Sequence, residues 1–400
     1  MYIRSMTSSL HKSDYIPRKL KKELKTVLHE YPVISILGPR QSGKTTFVLH
    51  ECKDFNYANL EDPETRILAE QDPKAFFDSF SFPLIIDEVQ RVPSLLSYIQ
   101  IIVDREKQNG LFVLTGSHQL ALGEAIAQSL AGRTAILTLL PFSIEELEET
   151  VSDFSREKLL FLGFLPCIYD QRQEANRAYR NYFQTYVERD LRSIMRIKDL
   201  SKFEIFLRLM AGRVGQLFSA SSLASEVGVS YKTVQEWISI LEASFIIFKL
   251  PPWYKNYGKR LIKSPKYYFV EPGLAVYLLG IEKEEQVFRD PLFGNLFENM
   301  LVCELLKARL NRGKEAHLYF YRDSNGFELD IIYDKPEGFI PAEIKSAMTW
   351  NLNLAKNLIS FKKQNPKIKK SYLLYAGDLQ VKTDEYQTIH YKKAYTLFDE

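Results

Sequence analysis

One octapeptide narrows the possible folds more than any other feature. Gly38-Pro39-Arg40-Gln41-Ser42-Gly43-Lys44-Thr45 follows the apolar run Val33–Leu37 and opens a helical pattern. It fits G-x-x-x-x-G-K-[ST], in which the glycines let the backbone curl until successive N–H groups point at phosphate oxygens. A helix starting at Lys44 would add the positive end of its dipole. Gly38, Pro39, Arg40, Gln41, Ser42, Gly43, Lys44, Thr45 and Thr46 are therefore the expected phosphate cradle. Lys44 would reach the β- and γ-phosphates, and the Thr45 hydroxyl would sit on Mg²⁺. The expected ligand is ATP with Mg²⁺.

Two further strand ends complete that chemistry. Leu84-Ile85-Ile86 runs into Asp87-Glu88, an adjacent carboxylate pair. Buried carboxylates are costly unless a cation compensates them. Asp87 would hold Mg²⁺, and Glu88 would polarise the attacking water. Leu111–Leu114 ends at Thr115-Gly116-Ser117-His118. There Thr115 or Ser117 would orient the water or sense the γ-phosphate, unless the serine merely caps a helix. Arg133, before the apolar stretch Ala135–Leu139, is either a transition-state cation, in cis or from a neighbouring subunit, or a plain surface arginine. With Asn56–Leu60, these runs predict an α/β unit built on a buried parallel sheet.

Pro141 closes that unit, and the pattern then turns helical to about Leu250. Within this stretch, Ser222–Trp237 has helix-turn-helix spacing. Ala224 would allow close approach, Gly228 would make the turn, Ser230 would cap the second helix, and Val234 and Trp237 would face the core. Tyr231, Lys232, Thr233, Gln235 and Glu236 would then face outward near the start of that helix, where base or phosphate contacts are made. Ile238–Leu250 and Pro251-Pro252-Trp253 would supply a wing. Charge agrees with a nucleic-acid contact: residues 180–270 carry 15 Lys/Arg against 7 Asp/Glu, in a chain whose net charge is only +3. A helix-turn-helix and a lysine-rich surface also serve protein contacts, so both partner classes stay open here.

Near the end, a helix over Asn295–Leu310 precedes strands near Leu318–Tyr321, Phe327–Tyr333 and Gly338–Ile344, with Asp334–Gly338 as a hairpin turn. Residues at i and i+2 share a strand face. Glu328 pairs in this way with Asp330, and Glu343 with Lys345. With Glu298 on the helix, Asp330 and Glu343 offer hard oxygen ligands for a second Mg²⁺, and Lys345 a water-activating cation. The alternative is a solvated hairpin of alternating charge.

Composition bounds the rest. A chain of 400 residues, 46% hydrophobic and 26% charged, holds two or three globular domains. It shows neither a long apolar span nor a signal-like start. Cys52, Cys167 and Cys303 are scattered, fit a reducing cytoplasm, and are expected to be buried. The predicted division is 15–141 for the P-loop domain, 142–200 for a helical lid or linker, 201–270 for a winged helix-turn-helix-like unit and 271–400 for the last domain. The linkers are short and the domains are expected to touch.

Together these signatures resemble the prokaryotic AAA-type ATPases that carry a C-terminal domain of unknown function related to the PD-(D/E)XK nuclease fold. The resemblance runs from about Tyr15 to Trp350. It rests on Gly38–Thr46, Asn59-Leu60-Glu61-Asp62-Pro63, Ile86–Pro93, Leu114–Ser117 and Ser129–Arg133. Later it adds Tyr186–Asp190, Asn256–Lys263, Gly294–Asn299 and Glu343-Ile344-Lys345-Ser346. It implies an ATPase core, a winged-helix middle and a restriction-endonuclease-like end, with Leu329 where the family name has proline. The resulting expectation is a nucleotide-gated switch that binds, and in one version cuts, DNA. The alternative is a regulatory ATPase whose later domains bind proteins. A homo-oligomer is compatible with either, and no membrane contact is expected.

Overall fold

The computed structural model describes residues 15–116, 128–185, 199–254 and 264–399. Its N-terminal sheet has five parallel strands: β1 (Val33–Leu37), β2 (Asn56–Asn59), β3 (Leu84–Asp87), β4 (Phe112–Gly116) and β5 (Thr134–Thr138). Their order is β2-β3-β4-β1-β5. β1 and β4 are buried at every position, because helices cover both faces of the sheet. Val33, Leu37, Phe112 and Leu114 face one core, while Ile34, Ile36, Val113 and Leu137 face another. The topology sets the C-terminal ends of β3, β4 and β1 side by side, where an open α/β sheet binds its ligand.

Short helices follow, including Arg156–Leu162 and Ala175–Tyr182. Next come the helices Leu200–Ala211, Ala220–Val227 and Tyr231–Ala243, then the antiparallel pair β6 (Ile247–Leu250) and β7 (Lys266–Phe269). The helix Ala220–Val227 ends at Gly228 in the left-handed conformation, and Ser230 Oγ accepts from Thr233 N at 3.0 Å. Val234 and Trp237 are buried, as their spacing predicts. The expected wing needs correcting. Ile238 lies inside the helix, and Trp253 donates its N–H to the Phe320 carbonyl at 2.6 Å, packing on Leu329 and Ile332. Pro251–Trp253 thus joins the last sheet, because an indole next to an apolar face gains more by burial than by exposure at a wing tip.

That last sheet has the order β12-β11-β10-β9-β8, from β8 (Leu318–Arg322), β9 (Glu328–Lys335), β10 (Gly338–Lys345), β11 (Tyr372–Tyr375) and β12 (Gln387–His390). β9 and β10 form the expected hairpin, tighter than predicted, with Lys335 opposite Gly338. The helix Phe293–Leu310 packs on one face and Lys356–Gln364 on the other. One core runs from Phe142 through the three middle helices to Leu397, and a second lies under the other face of the last sheet, around Trp253, Leu329 and Phe361. Cys52 and Cys303 are buried; Cys167 is only half-buried.

Candidate nucleotide site

The phosphate loop turns sharply because two of its positions exclude side chains. A Cβ on Gly38 would stand 2.1 Å from the Leu139 carbonyl oxygen, and Gly43 has φ +86°. The helix Lys44–Glu51 starts directly after it. Lys44 is buried, and its Nζ donates to the carbonyls of Gly38 (3.1 Å) and Pro39 (2.7 Å). Burial pushes its pKa down to about 8, against the pull of Glu88 and Asp87. The ammonium is therefore held at the loop by weak neutral acceptors, which charged phosphate oxygens would outcompete.

Asp87 ends β3 and is ringed by hydroxyls. Thr45 Oγ1 and Tyr57 OH each donate to Oδ2 at 2.8 Å, and Thr115 Oγ1 donates to Oδ1. Burial, with the Asp87 charge next in size, drives the Tyr57 phenol far above its usual range. All three partners are neutral, so the carboxylate's charge is solvated but not cancelled. That donor set fits Mg²⁺, which seeks one or two carboxylates and a hydroxyl. Glu88 follows in the left-handed conformation (φ 58°, ψ 44°), a strained position for a side-chain-bearing residue. Its N–H donates to Thr115 Oγ1 at 3.2 Å, and Gln90 Nε2 donates to its carboxylate. Such strain is kept where a side chain must be aimed, here beside the phosphate loop.

Two sequence-derived roles fare differently. Ser117 lies outside the described residues. Arg133 is placed at the wrong end of the sheet to serve its own loop. Thr134 pairs with Val33 at the start of β1, and at about 3.3 Å per residue the loop is some 15 Å further on. Its guanidinium grips Asp104 through Nε (2.7 Å) and Nη2 (3.0 Å). From there it does not reach its own loop, which leaves a neighbouring copy's site or a plain surface ion pair with Asp104. Sequence reasoning missed Tyr57, whose only signal is a phenol on β2, the strand beside the one that carries Asp87.

The C-terminal carboxylates come together around two lysines. Lys266 is almost fully buried between Glu298 (3.2 Å) and Glu328 (2.6 Å). Lys345 reaches Glu343 at 2.7 Å and Asp330 at 3.5 Å. Tyr268 OH donates to Glu298 at 2.5 Å, and Arg322 holds Glu328 at 2.8 Å. Among the described residues, no three His, Cys, Asp or Glu side chains are grouped to hold a metal. Of the expected set of Glu298, Asp330 and Glu343 with Lys345, Lys345 lies against Asp330 and Glu343, and Lys266 holds Glu298. Burial raises the Glu343 pKa well above the carboxylate range, helped by Asp330 and opposed by Lys345. Glu343 Oε2 has no hydrogen-bond partner.

On the helix Tyr231–Ala243, Tyr231, Lys232, Gln235 and Glu236 are exposed and Thr233 is half-buried. Lys232 pairs loosely with Glu236 at 3.9 Å. The basic residues of 186–198 and 255–263, and the motifs Tyr186–Asp190 and Asn256–Lys263, lie outside the described residues. No described helix is long and apolar enough to cross a membrane.

The parallel sheet, the loop and the β3 carboxylate define an AAA-type P-loop ATPase fold. Family models agree: residues 30–148 match an AAA domain, 154–285 a domain of unknown function (DUF8612) and 293–394 a domain of unknown function (DUF4143). An uncharacterized protein of Mycobacterium tuberculosis is 32% identical over 344 residues, covering 83% of this chain and 74% of the relative. The chain belongs to the family of that mycobacterial protein. An uncharacterized protein of Haemophilus influenzae is 23% identical over 368 residues, covering 83% and 87%. A Walker-type ATPase of Pyrococcus abyssi aligns in structure with TM-score 0.46 at 15% identity, covering 67% of this chain and 97% of that one.

Proposed function

We propose that this chain binds and hydrolyses ATP, and that its nucleotide state gates a contact with DNA. The observation that carries the first part is the convergence of Lys44, Thr45, Asp87 and Glu88 on the ends of β1 and β3. In this reading Lys44 leaves the Gly38 and Pro39 carbonyls for the β- and γ-phosphates. Thr45 and Asp87 hold Mg²⁺, which neutralises charge on the phosphate oxygens. Glu88 takes the proton of the attacking water, and Thr115 keeps its backbone aimed. Ser117 remains a proposed γ-phosphate sensor.

The DNA contact is assigned to residues 201–270 as a winged helix-turn-helix-like unit. Its second helix would enter the major groove with Tyr231, Lys232, Thr233 and Gln235 at the leading end. Residues 142–200 would serve as lid or linker, and 271–400 as a nuclease-related fold. The lysine-paired carboxylates favour a C-terminal unit that binds a partner and does not cut. That favours the regulatory alternative, in which the later domains bind proteins.

The test is an ATPase assay with a panel of duplex and single-stranded DNAs, with anisotropy in parallel and gels for cut products. Stimulated turnover, nucleotide-dependent binding that weakens with salt, and no cleavage are expected. Absence of DNA binding at low salt in every nucleotide state would remove the DNA half and leave the protein-partner reading.

A further inference from the structure

Behind the phosphate loop, outside the segment matched as an AAA domain, stands Arg18. Its side chain is 3% exposed. Nη1 donates to the Ser42 carbonyl at 2.8 Å, Nη2 to the Leu140 carbonyl at 2.5 Å, and Nε to Glu146 at 3.1 Å. The guanidinium also lies 4.8 Å from the centre of the Phe142 ring. One rigid planar fork thus ties the loop's carbonyl side to residues 140–146, the strap that leaves β5.

The same strap is held from the other side. On the helix Phe293–Leu310, Glu304 and Lys307 form a 2.9 Å pair whose side chains are 4% and 1% exposed. Lys307 Nζ donates to the Phe142 carbonyl at 2.7 Å, and Glu304 accepts from Ile144 N at 2.6 Å. Phe142 is therefore the joint, with its ring beside Arg18 and its carbonyl on Lys307. Buried charges are costly unless fully partnered. Here the hydrogen-bond partners of Glu304 and Lys307 are each other and the strap's Ile144 N–H and Phe142 carbonyl, with the Phe164 ring 4.0 Å from the ammonium, so a shift of the strap strips both charges of a backbone partner.

We propose that Arg18 is a positioning residue of the phosphate loop, and that Glu304 and Lys307 extend its grip so that nucleotide occupancy and the C-terminal helix sense each other. The proposal rests on the ATPase reading. Capture of a triphosphate removes Lys44 from the Gly38 and Pro39 carbonyls, which resets the loop that Arg18 holds. Reciprocity then requires that loosening the strap alters nucleotide affinity by the factor with which nucleotide steadies the strap.

The experiment uses the full chain and a fluorescent ATP analogue with Mg²⁺, together with hydrogen exchange of residues 140–147 and 293–310. In the unaltered protein, nucleotide should slow exchange in both segments. Arg18→Ala should raise the nucleotide Kd and KM about 5-fold or more, with a smaller change in kcat, and abolish the protection of 293–310. Arg18→Lys should restore part of the affinity. Glu304→Gln with Lys307→Met keeps the side-chain sizes, so it serves even if Arg18→Ala does not fold. It should shift the nucleotide Kd without altering any residue of the phosphate loop, by roughly the same factor. Normal nucleotide binding with unchanged exchange in both segments would overturn the relay and leave the ATPase reading standing. Unchanged Kd, KM and protection in folded variants would overturn it equally. No nucleotide binding in the unaltered protein would sink both.

Discussion

Two sets of buried or half-buried carboxylates sit far apart along this chain, and they are satisfied in different ways. Asp87 is hydrogen-bonded by Thr45, Tyr57 and Thr115, all neutral donors. Glu298, Glu328, Asp330 and Glu343 are held by Lys266, Lys345 and Arg322. Hydroxyls orient a carboxylate and leave its charge in place, whereas ammonium groups cancel it. The first arrangement is ready for a divalent cation; the second has built its cations into the fold. A list of acidic residues in the sequence does not separate the two cases, since the deciding partner of Glu298, on the helix Phe293–Leu310, is Lys266 on β7.

The comparison can be broken at its strongest point with Glu88→Gln. If the N-terminal carboxylates work on nucleotide, this variant should bind ATP normally in calorimetry while turnover falls about 100- to 10,000-fold. Equal turnover in both proteins would remove Glu88 as the base. Next comes stability. Lys266→Met leaves the half-buried Glu298 without its cation, and Glu328 with Arg322 alone, and should cost about 3 kcal/mol in urea unfolding. Asp87→Asn keeps a polar group among hydroxyls and should cost only about 1 kcal/mol. Similar losses for the two would mean that the clusters do not differ as described.

Lys44→Ala should weaken ATP binding on the order of 100-fold in the same calorimetry, with unfolding midpoints nearly unchanged. The smallest effect is in pH. Lys44 is depressed from 10.5 to about 8 in the free protein, so between those values the unfolded chain carries a proton that the folded one has lost. This group's contribution to stability therefore rises with pH across that window. ATP binding, which needs the ammonium, should go the opposite way. Affinity should fall as pH passes 8, by at most tenfold per unit, with proton uptake on binding. Affinity constant from pH 7 to 9 would contradict the assignment.

Much of this was legible in the chain, unevenly. Val33–Leu37 and Leu84–Asp87 are continuous apolar runs ending in loop chemistry, and both form strands within a residue or two of the expected bounds. Ser230 caps the helix that its position predicts, since capping depends on neighbours three residues away. Arg133 misled because a motif's chain position does not reveal which end of a strand faces the ligand. Pro251–Trp253 misled because its partner, Phe320, lies far along the sequence.

By itself, then, the sequence determined the local devices: the curled loop, the strand that feeds it, the carboxylate after β3, and the caps and turns. These depend on residues within about four positions of each other, where spacing dictates geometry. Only the tertiary structure decided which charges cancel. It set three hydroxyls from separate elements on Asp87, placed Lys266 between two acids, and brought Arg18 and Lys307 to opposite sides of Phe142. Those pairings depend on how strands and helices stack across long stretches of chain, and on the cost of leaving a charge buried alone.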